Sequence, residues 1–182
     1  MQKNKLPAVL ACAALLWASA PAAALDAHGY SIEAARGSDS KMFRLGLQRN
    51  IDRTWLRSER YHLGAFWDLT LAAWRGDAYR GQQGVRQNLW DIGLTPTVRY
   101  QRHDRRGWYA EAGIGAHYLS GVWNNGSKEL STRFQFGDHI GTGYVFRNGL
   151  DVALKFQHYS NGGIKNPNDG ANFVILKAGF PF

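Results

Sequence analysis

Cysteine is almost absent: Cys12 is the only one in a chain of 182 residues. One thiol excludes an internal disulfide framework, and no four Cys or His positions cluster at structural-zinc spacing. No carboxylate cluster suggests a Ca²⁺ site. No apolar run reaches the ~20 residues a helix needs to cross a bilayer. No segment beyond Leu25 keeps a helical period. The G-x-S-x-G turn of soluble serine hydrolases is missing. No linker, internal repeat or low-complexity tract divides the chain, and its length suits a single domain.

Aromatic residues, by contrast, make up 13% of the chain, hydrophobic residues 45%, and Gly numbers 21. That mixture is too apolar for a disordered chain. The net charge of +8 admits a polyanionic partner. The N-terminus argues that nucleic acid is not that partner. Lys3 and Lys5 form a positive region, Leu6 to Trp17 a short apolar stretch, and Ala22-Ala23-Ala24 a small-residue cleavage site. This is the pattern of a secretory signal peptide. We expect a signal peptide over residues 1–24 and an exported domain over residues 25–182. Val9-Leu10-Ala11 before Cys12 fits a lipoprotein signal poorly.

The exported part alternates. Leu63, Ala65, Trp67, Leu69, Leu71 and Ala73 share one face, with His62, Asp68 and Thr70 on the other. Trp108, Ala110, Ala112, Ile114, Ala116 and Tyr118 repeat the pattern, as do Val174, Leu176, Ala178, Phe180 and Phe182. Period two is the mark of strands with two unlike faces. Eight such runs can be counted, the weakest near Tyr30–Arg36. Most reach about 10 residues, the length that crosses a bilayer at a tilt. Backbone groups in hydrocarbon must be paired, so the sheet must close. The expected fold is all-β, an eight-stranded antiparallel transmembrane β-barrel of the outer membrane. A lipocalin-like barrel with the faces reversed satisfies the same alternation. The terminal Phe182, with apolar residues behind it at every second position, is similar to the C-terminal assembly signal of bacterial outer-membrane barrels and favours the membrane form. Trp74, Trp90, Trp108 and Tyr100 suit interfacial girdles. Long outer connections are expected around Gly37–Lys41, Arg75–Arg86, Ser120–Thr132 and Ser160–Ala171. Inner turns are expected at Gln101–Gly107 and Arg147–Gly149, and a longer one near Asp52–Arg60.

One run breaks its own rule. Counting by twos from Leu150 gives Val152, Leu154 and Phe156, then His158 and Ser160. Counting back from Phe182 reaches Asn172 in the same way. A Ser, a His and a third polar group can therefore meet at the outer rim, on the lipid-facing side. A neutral imidazole can take the proton of a serine hydroxyl that attacks an acyl carbon, while a third group fixes the tautomer. The same residues also suit a strand end that meets water and headgroups, and spacing alone does not separate the two. The segment Asn161–Gly170 is rich in residues that tolerate unusual backbone angles and expose N–H groups. Such donors beside Ser160 can hold an oxyanion.

His158-Tyr159-Ser160-Asn161-Gly162-Gly163, followed by Lys165 and Pro167-Asn168-Asp169-Gly170, resembles the active-site segment of the PagL family of outer-membrane lipid A 3-O-deacylases. The close match covers about 25 residues, and the remainder agrees in length, leader and strand count. The resemblance implies Ser160 as nucleophile and His158 as general base. It implies an oxyanion hole from the amides of Gly163 and Asn168, with Asn161 in support. The family pattern has Glu as the third residue where this chain has Asn172, and Ala where it has Gly162. Asn can orient a histidine. Asp169 is an alternative if the loop folds back.

The activity so implied is hydrolysis of the 3-linked (R)-3-hydroxyacyl ester of lipid A in the outer leaflet, without metal or cofactor. The partners are then lipopolysaccharide and the outer membrane. Arg75, Arg80, Arg86, Lys128 and Lys165 in the outer loops can steer lipid A phosphates. Whether the protein is a monomer or a homodimer is left open. Two other classes share these features: a non-enzymatic barrel such as an adhesin, and an outer-membrane acyltransferase or phospholipase.

Overall fold

The structure, a computed structural model, describes residues 27–182. The expected signal peptide lies outside the described residues. Ten strands follow one another: β1 (Gly29–Gly37), β2 (Ser40–Trp55), β3 (Tyr61–Gly76), β4 (Gln87–Arg102), β5 (Gly107–Leu119), β6 (Asn124–Asn125), β7 (Lys128–Glu129), β8 (Phe134–Val145), β9 (Asp151–Ser160) and β10 (Ala171–Pro181). Eight of them close into a barrel in the order β1-β10-β9-β8-β5-β4-β3-β2. All its pairings are antiparallel. β6 and β7 form a separate small hairpin inside the β5–β8 connection.

The direction of the two faces settles what surrounds the barrel. Ile114, Ile140, Leu154 and Leu176 point outward with 60%, 66%, 55% and 59% of their surface exposed. Glu33, Arg44, Lys155 and Lys177 point into the bore with 1–2% exposed. A soluble barrel would reverse this, because water would meet the polar face. The lipocalin-like alternative is thereby excluded. The outer belt matches hydrocarbon. Trp90, Trp108 and Tyr100 are exposed at the strand ends, as a girdle requires.

Trp74 is not part of that girdle. Its parity turns it inward, where it is almost wholly buried. It packs edge-on against Tyr159, Phe173 and Trp123 at centroid distances of 4.6, 4.8 and 5.4 Å. With Met42, Leu119, Leu130 and Ile175 these rings close the outer end of the bore. An aromatic residue near a strand end thus serves a plug here, because the bore needs apolar volume where its polar ladder stops.

Below the plug the bore holds a charged network. Glu33 accepts from Arg44 Nε and Lys155 Nζ, both at 2.6 Å. Arg44 also donates to Gln157 Oε1 at 3.0 Å and to the Tyr159 hydroxyl at 3.2 Å. Deeper, Arg99 bridges Glu111 at 2.6 Å and Asp151 at 3.2 Å. Asp151 also accepts from Lys177 at 3.1 Å. Buried charges are tolerated only when paired in this way.

Two connections differ from expectation. The segment Gly37–Lys41 is not a long loop, since Gly37 pairs with Ser40 and only residues 38 and 39 make the turn. Asp39 there has φ 50° and supplies the tight reversal. β2 runs through the expected turn at Asp52–Arg60 as far as Trp55, with a register shift between Ile51 and Trp55.

Glu33→Ala leaves Arg44 and Lys155 buried without their shared carboxylate. The expected cost is about 3–5 kcal/mol. It is measured as a lower melting temperature of the barrel in detergent.

Candidate active site

Tyr159 decides which way its neighbours face. Its ring is wholly buried in the plug, and its hydroxyl accepts from Arg44. Alternation then sends His158 and Ser160 outward at the upper end of β9. Asn172 lies directly across from His158 on β10. Phe136 lies across from Ser160 on β8. The three polar residues therefore sit on the outer wall at the outer rim, as the count by twos implies.

Asn172 and His158 are joined by a hydrogen bond. Asn172 Oδ1 stands 2.6 Å from His158 Nδ1. An amide oxygen can only accept, so Nδ1 carries the proton and Nε2 keeps its lone pair. That is the tautomer a general base needs. The amide is neutral, so it orients the ring without adding charge.

The ring lies over Gly170. A Cβ built at Gly170 would stand 2.5 Å from Cε1 and 3.3 Å from Nε2 of His158. Gly170 also has φ +75°, which favours glycine. The loop and the imidazole thus share one close contact that only glycine permits. Among the described residues no hydrogen bond joins the Ser160 hydroxyl to the imidazole, although the two share a face two residues apart. Such bonds commonly tighten only when substrate is bound.

Asn161 organises the loop from a fully buried position. Its backbone N–H donates to Asn168 Oδ1 at 2.9 Å. Its side-chain amide donates to the Lys165 carbonyl at 2.6 Å and to Ser131 Oγ at 3.2 Å. Its Oδ1 accepts from the Gly163 N–H at 2.9 Å. The Gly163 donor is therefore occupied within the loop, and the Asn168 side chain points back to Asn161.

Asp169 is held elsewhere. Its Oδ2 accepts from the Glu129 N–H at 2.9 Å, and its own N–H donates to the Glu129 carbonyl at 3.0 Å. Ser131 adds a bond from its N–H to the Pro167 carbonyl at 3.0 Å and one from its hydroxyl to the Lys165 carbonyl at 2.7 Å. The β5–β8 connection thus clasps the β9–β10 loop. Of the two candidates for the third residue, Asn172 meets the histidine and Asp169 meets the clasp.

One polar neighbour escaped the sequence reading. Asp138 on β8 stands directly across from His158, on the side away from Asn172, and is exposed on the outer wall. Continuing the alternation of Phe134 and Phe136 by two more residues lands on it. Of the rim cations, Arg75 and Arg86 converge on Asp77 at 2.8 and 4.0 Å. The hydrogen bond from Arg75 holds the Asp77 carboxyl below the usual carboxylate range. Arg80 lies over the Tyr79 ring.

A family described as lipid A 3-O-deacylase (PagL) matches residues 41–181. A lipid A deacylase PagL of Pseudomonas aeruginosa is 34% identical over 143 residues, covering 78% of this chain and 79% of that protein. A lipid A deacylase PagL of Bordetella bronchiseptica is 34% identical over 125 residues, covering 67% and 68%. The crystal structure of the outer membrane enzyme PagL superposes with a TM-score of 0.74 at 29% identity, covering 85% of this chain and 99% of that one. The Yersinia pestis outer membrane protein Ail, at 11% identity and a TM-score of 0.52, shares the fold alone.

Gly170→Ala is expected to push the imidazole off its position. A misplacement of about 1 Å costs on the order of a hundredfold in turnover. Deacylase assay of the purified variant measures this, with heat-modifiable gel mobility showing that the barrel is intact.

Proposed function

This chain belongs to the PagL family of lipid A 3-O-deacylases, and we propose that it performs that hydrolysis with Ser160 as nucleophile and His158 as general base. It is an ester hydrolase of the outer membrane; the non-enzymatic and acyltransferase classes are set aside. The observation that carries the mechanism is the Asn172–His158 bond, which leaves Nε2 unprotonated on the same outer face as Ser160.

Nε2 takes the proton of the Ser160 hydroxyl as Oγ attacks the carbonyl of the 3-O-linked (R)-3-hydroxyacyl chain. The tetrahedral intermediate collapses, and the imidazolium returns the proton to the departing sugar oxygen. Water then enters, gives a proton to Nε2 and attacks the acyl-serine. The fatty acid leaves, and Ser160 regains its proton from His158. Asn172 holds the ring throughout as an acceptor for Nδ1–H.

The oxyanion falls to the amides of Gly163 and Asn168. An oxyanion is a stronger acceptor than an amide oxygen. It therefore competes with Asn161 Oδ1 for the Gly163 N–H, and Asn161 keeps the loop in shape while that donor changes partner. The substrate already lies in the leaflet that the site faces, so no passage through the bore is needed. Acyl chains lie along the wall of Leu154, Phe156, Val174 and Leu176, all exposed. Arg80, Lys128 and Lys165 steer the phosphates from the rim. Export depends on the signal peptide over residues 1–24.

Mass spectrometry of lipid A treated with the purified protein tests this. Ser160→Ala is expected to abolish release of the 3-hydroxy fatty acid while the barrel stays folded. Persistent release would refute the nucleophile. Asn172→Ala is expected to lower kcat about a hundredfold, the usual worth of a positioned general base. Asn172→Glu is expected to raise kcat, since a carboxylate favours the imidazolium, and Asp169→Ala to cost much less than Asn172→Ala.

A further inference from the structure

We propose that Asp138 is a positioning residue acting through His158, supplying beside the imidazole the negative charge that Asn172 does not carry. The inference rests on the reading of Ser160 as nucleophile and His158 as base.

Asp138, His158 and Asn172 form one row across β8, β9 and β10, with the histidine in the middle. Apart from Ser160, diagonal to it on β9, the remaining neighbours of Asp138 on the outer wall are apolar. Ile114 stands across from it on β5, and Phe136 and Ile140 lie two residues to either side. All three are exposed to the same surroundings. An acidic side chain set among the apolar residues of a barrel's outer face points to function, and at the rim it keeps its charge at little cost. Packing gives no reason for it, since any of its apolar neighbours would suit the position.

Among the described residues Asp138 forms no ion pair, and the imidazole nitrogens are directed elsewhere. Nδ1 is bonded to Asn172, and the ring edge carrying Cε1 and Nε2 lies over Gly170. Asp138 therefore acts through its field rather than through an orienting bond. Residues directly opposite in antiparallel strands have Cβ atoms about 5 Å apart. Where lipid and protein replace water, a carboxylate is weakly screened over such a distance. The neutral imidazole of the resting enzyme gains little from it. The imidazolium formed when His158 takes the Ser160 proton gains much more. An interaction that strengthens only as the proton moves raises kcat and leaves substrate binding alone. Asn172 thus sets orientation and tautomer, and Asp138 sets the charge.

The test is steady-state deacylation of purified lipid A by the full-length barrel in detergent. Asp138→Asn, which keeps shape and removes charge, is expected to lower kcat about tenfold at unchanged KM. Asp138→Glu is expected to stay within about threefold of the parent, because the charge is kept. In an Asn172→Glu background, the Asp138→Asn loss is expected to shrink, since a second carboxylate now serves the imidazolium. An unchanged kcat in Asp138→Asn overturns the proposal. So does a loss confined to KM, which would make Asp138 a substrate contact. So does an Asp138→Glu variant no better than Asp138→Asn, or an equal loss in both backgrounds. Ser160→Ala separates the two levels of inference. If it keeps activity, the nucleophile reading fails; if it is inactive while Asp138→Asn is normal, only the present inference falls.

Discussion

Glu33 draws Arg44 and Lys155 together in the middle of the bore, and Arg44 reaches on to the Tyr159 hydroxyl. This buried arrangement fixes the inward residues of β9, and strand geometry leaves no freedom to the others. Lys155, Gln157 and Tyr159 point inward, so Phe156, His158 and Ser160 point outward. A slip of one residue would carry the imidazole and the hydroxyl into the bore and expose Lys155 to lipid. The charged interior is therefore what keeps the imidazole and the hydroxyl on the outside. Its energetic role is specificity of register as much as stability, since a buried ion pair is not strongly stabilising against a well-packed apolar alternative.

His158, Ser160 and Asn172 line neither of the two main cavities among the described residues. Lipid A is itself a membrane amphiphile, with its sugars at the headgroup plane and its acyl chains in hydrocarbon. Binding in a deep cleft would require lifting those chains out of hydrocarbon. On the proposed reading, a shallow row of Asp138, His158 and Asn172 at the rim, next to Ser160, avoids that cost. A cavity of about 260 Å³, lined by His62, Gln48 and Arg99 among others, lies at the other mouth of the barrel, far from these residues.

The fold was readable because a membrane-spanning strand has only two environments, and each residue declares which one it meets. The eight runs and the polar break at His158 and Ser160 follow from counting by twos, while the outward sense of the apolar face needed the terminal Phe182 as well. Counting was less reliable where a residue's chemistry suits both sides. Trp74 fits a headgroup girdle as well as an interior plug, and only its partners Tyr159 and Phe173 show which role it has. Asp138 was passed over because an acid interrupts an apolar face without announcing its neighbour across the strand. The choice between Asn172 and Asp169 depends on the path of the intervening loop, which is set by bonds to Glu129 and Ser131, residues some 30 to 40 positions earlier. The occupied Gly163 donor is of the same kind, a local bond to Asn161 Oδ1 that composition does not reveal.

The clasp between the β5–β8 connection and the β9–β10 loop makes those two stretches a single inheritable part. Each is bonded to the other: Asn161 to Ser131, and Asp169 to both backbone groups of Glu129. Transplanting the H-x-S-N segment alone onto another eight-stranded scaffold would bring the proposed nucleophile and leave behind the brace that shapes its surroundings. Lineages of such barrels should then vary these two segments in concert while the turns at the opposite end drift independently.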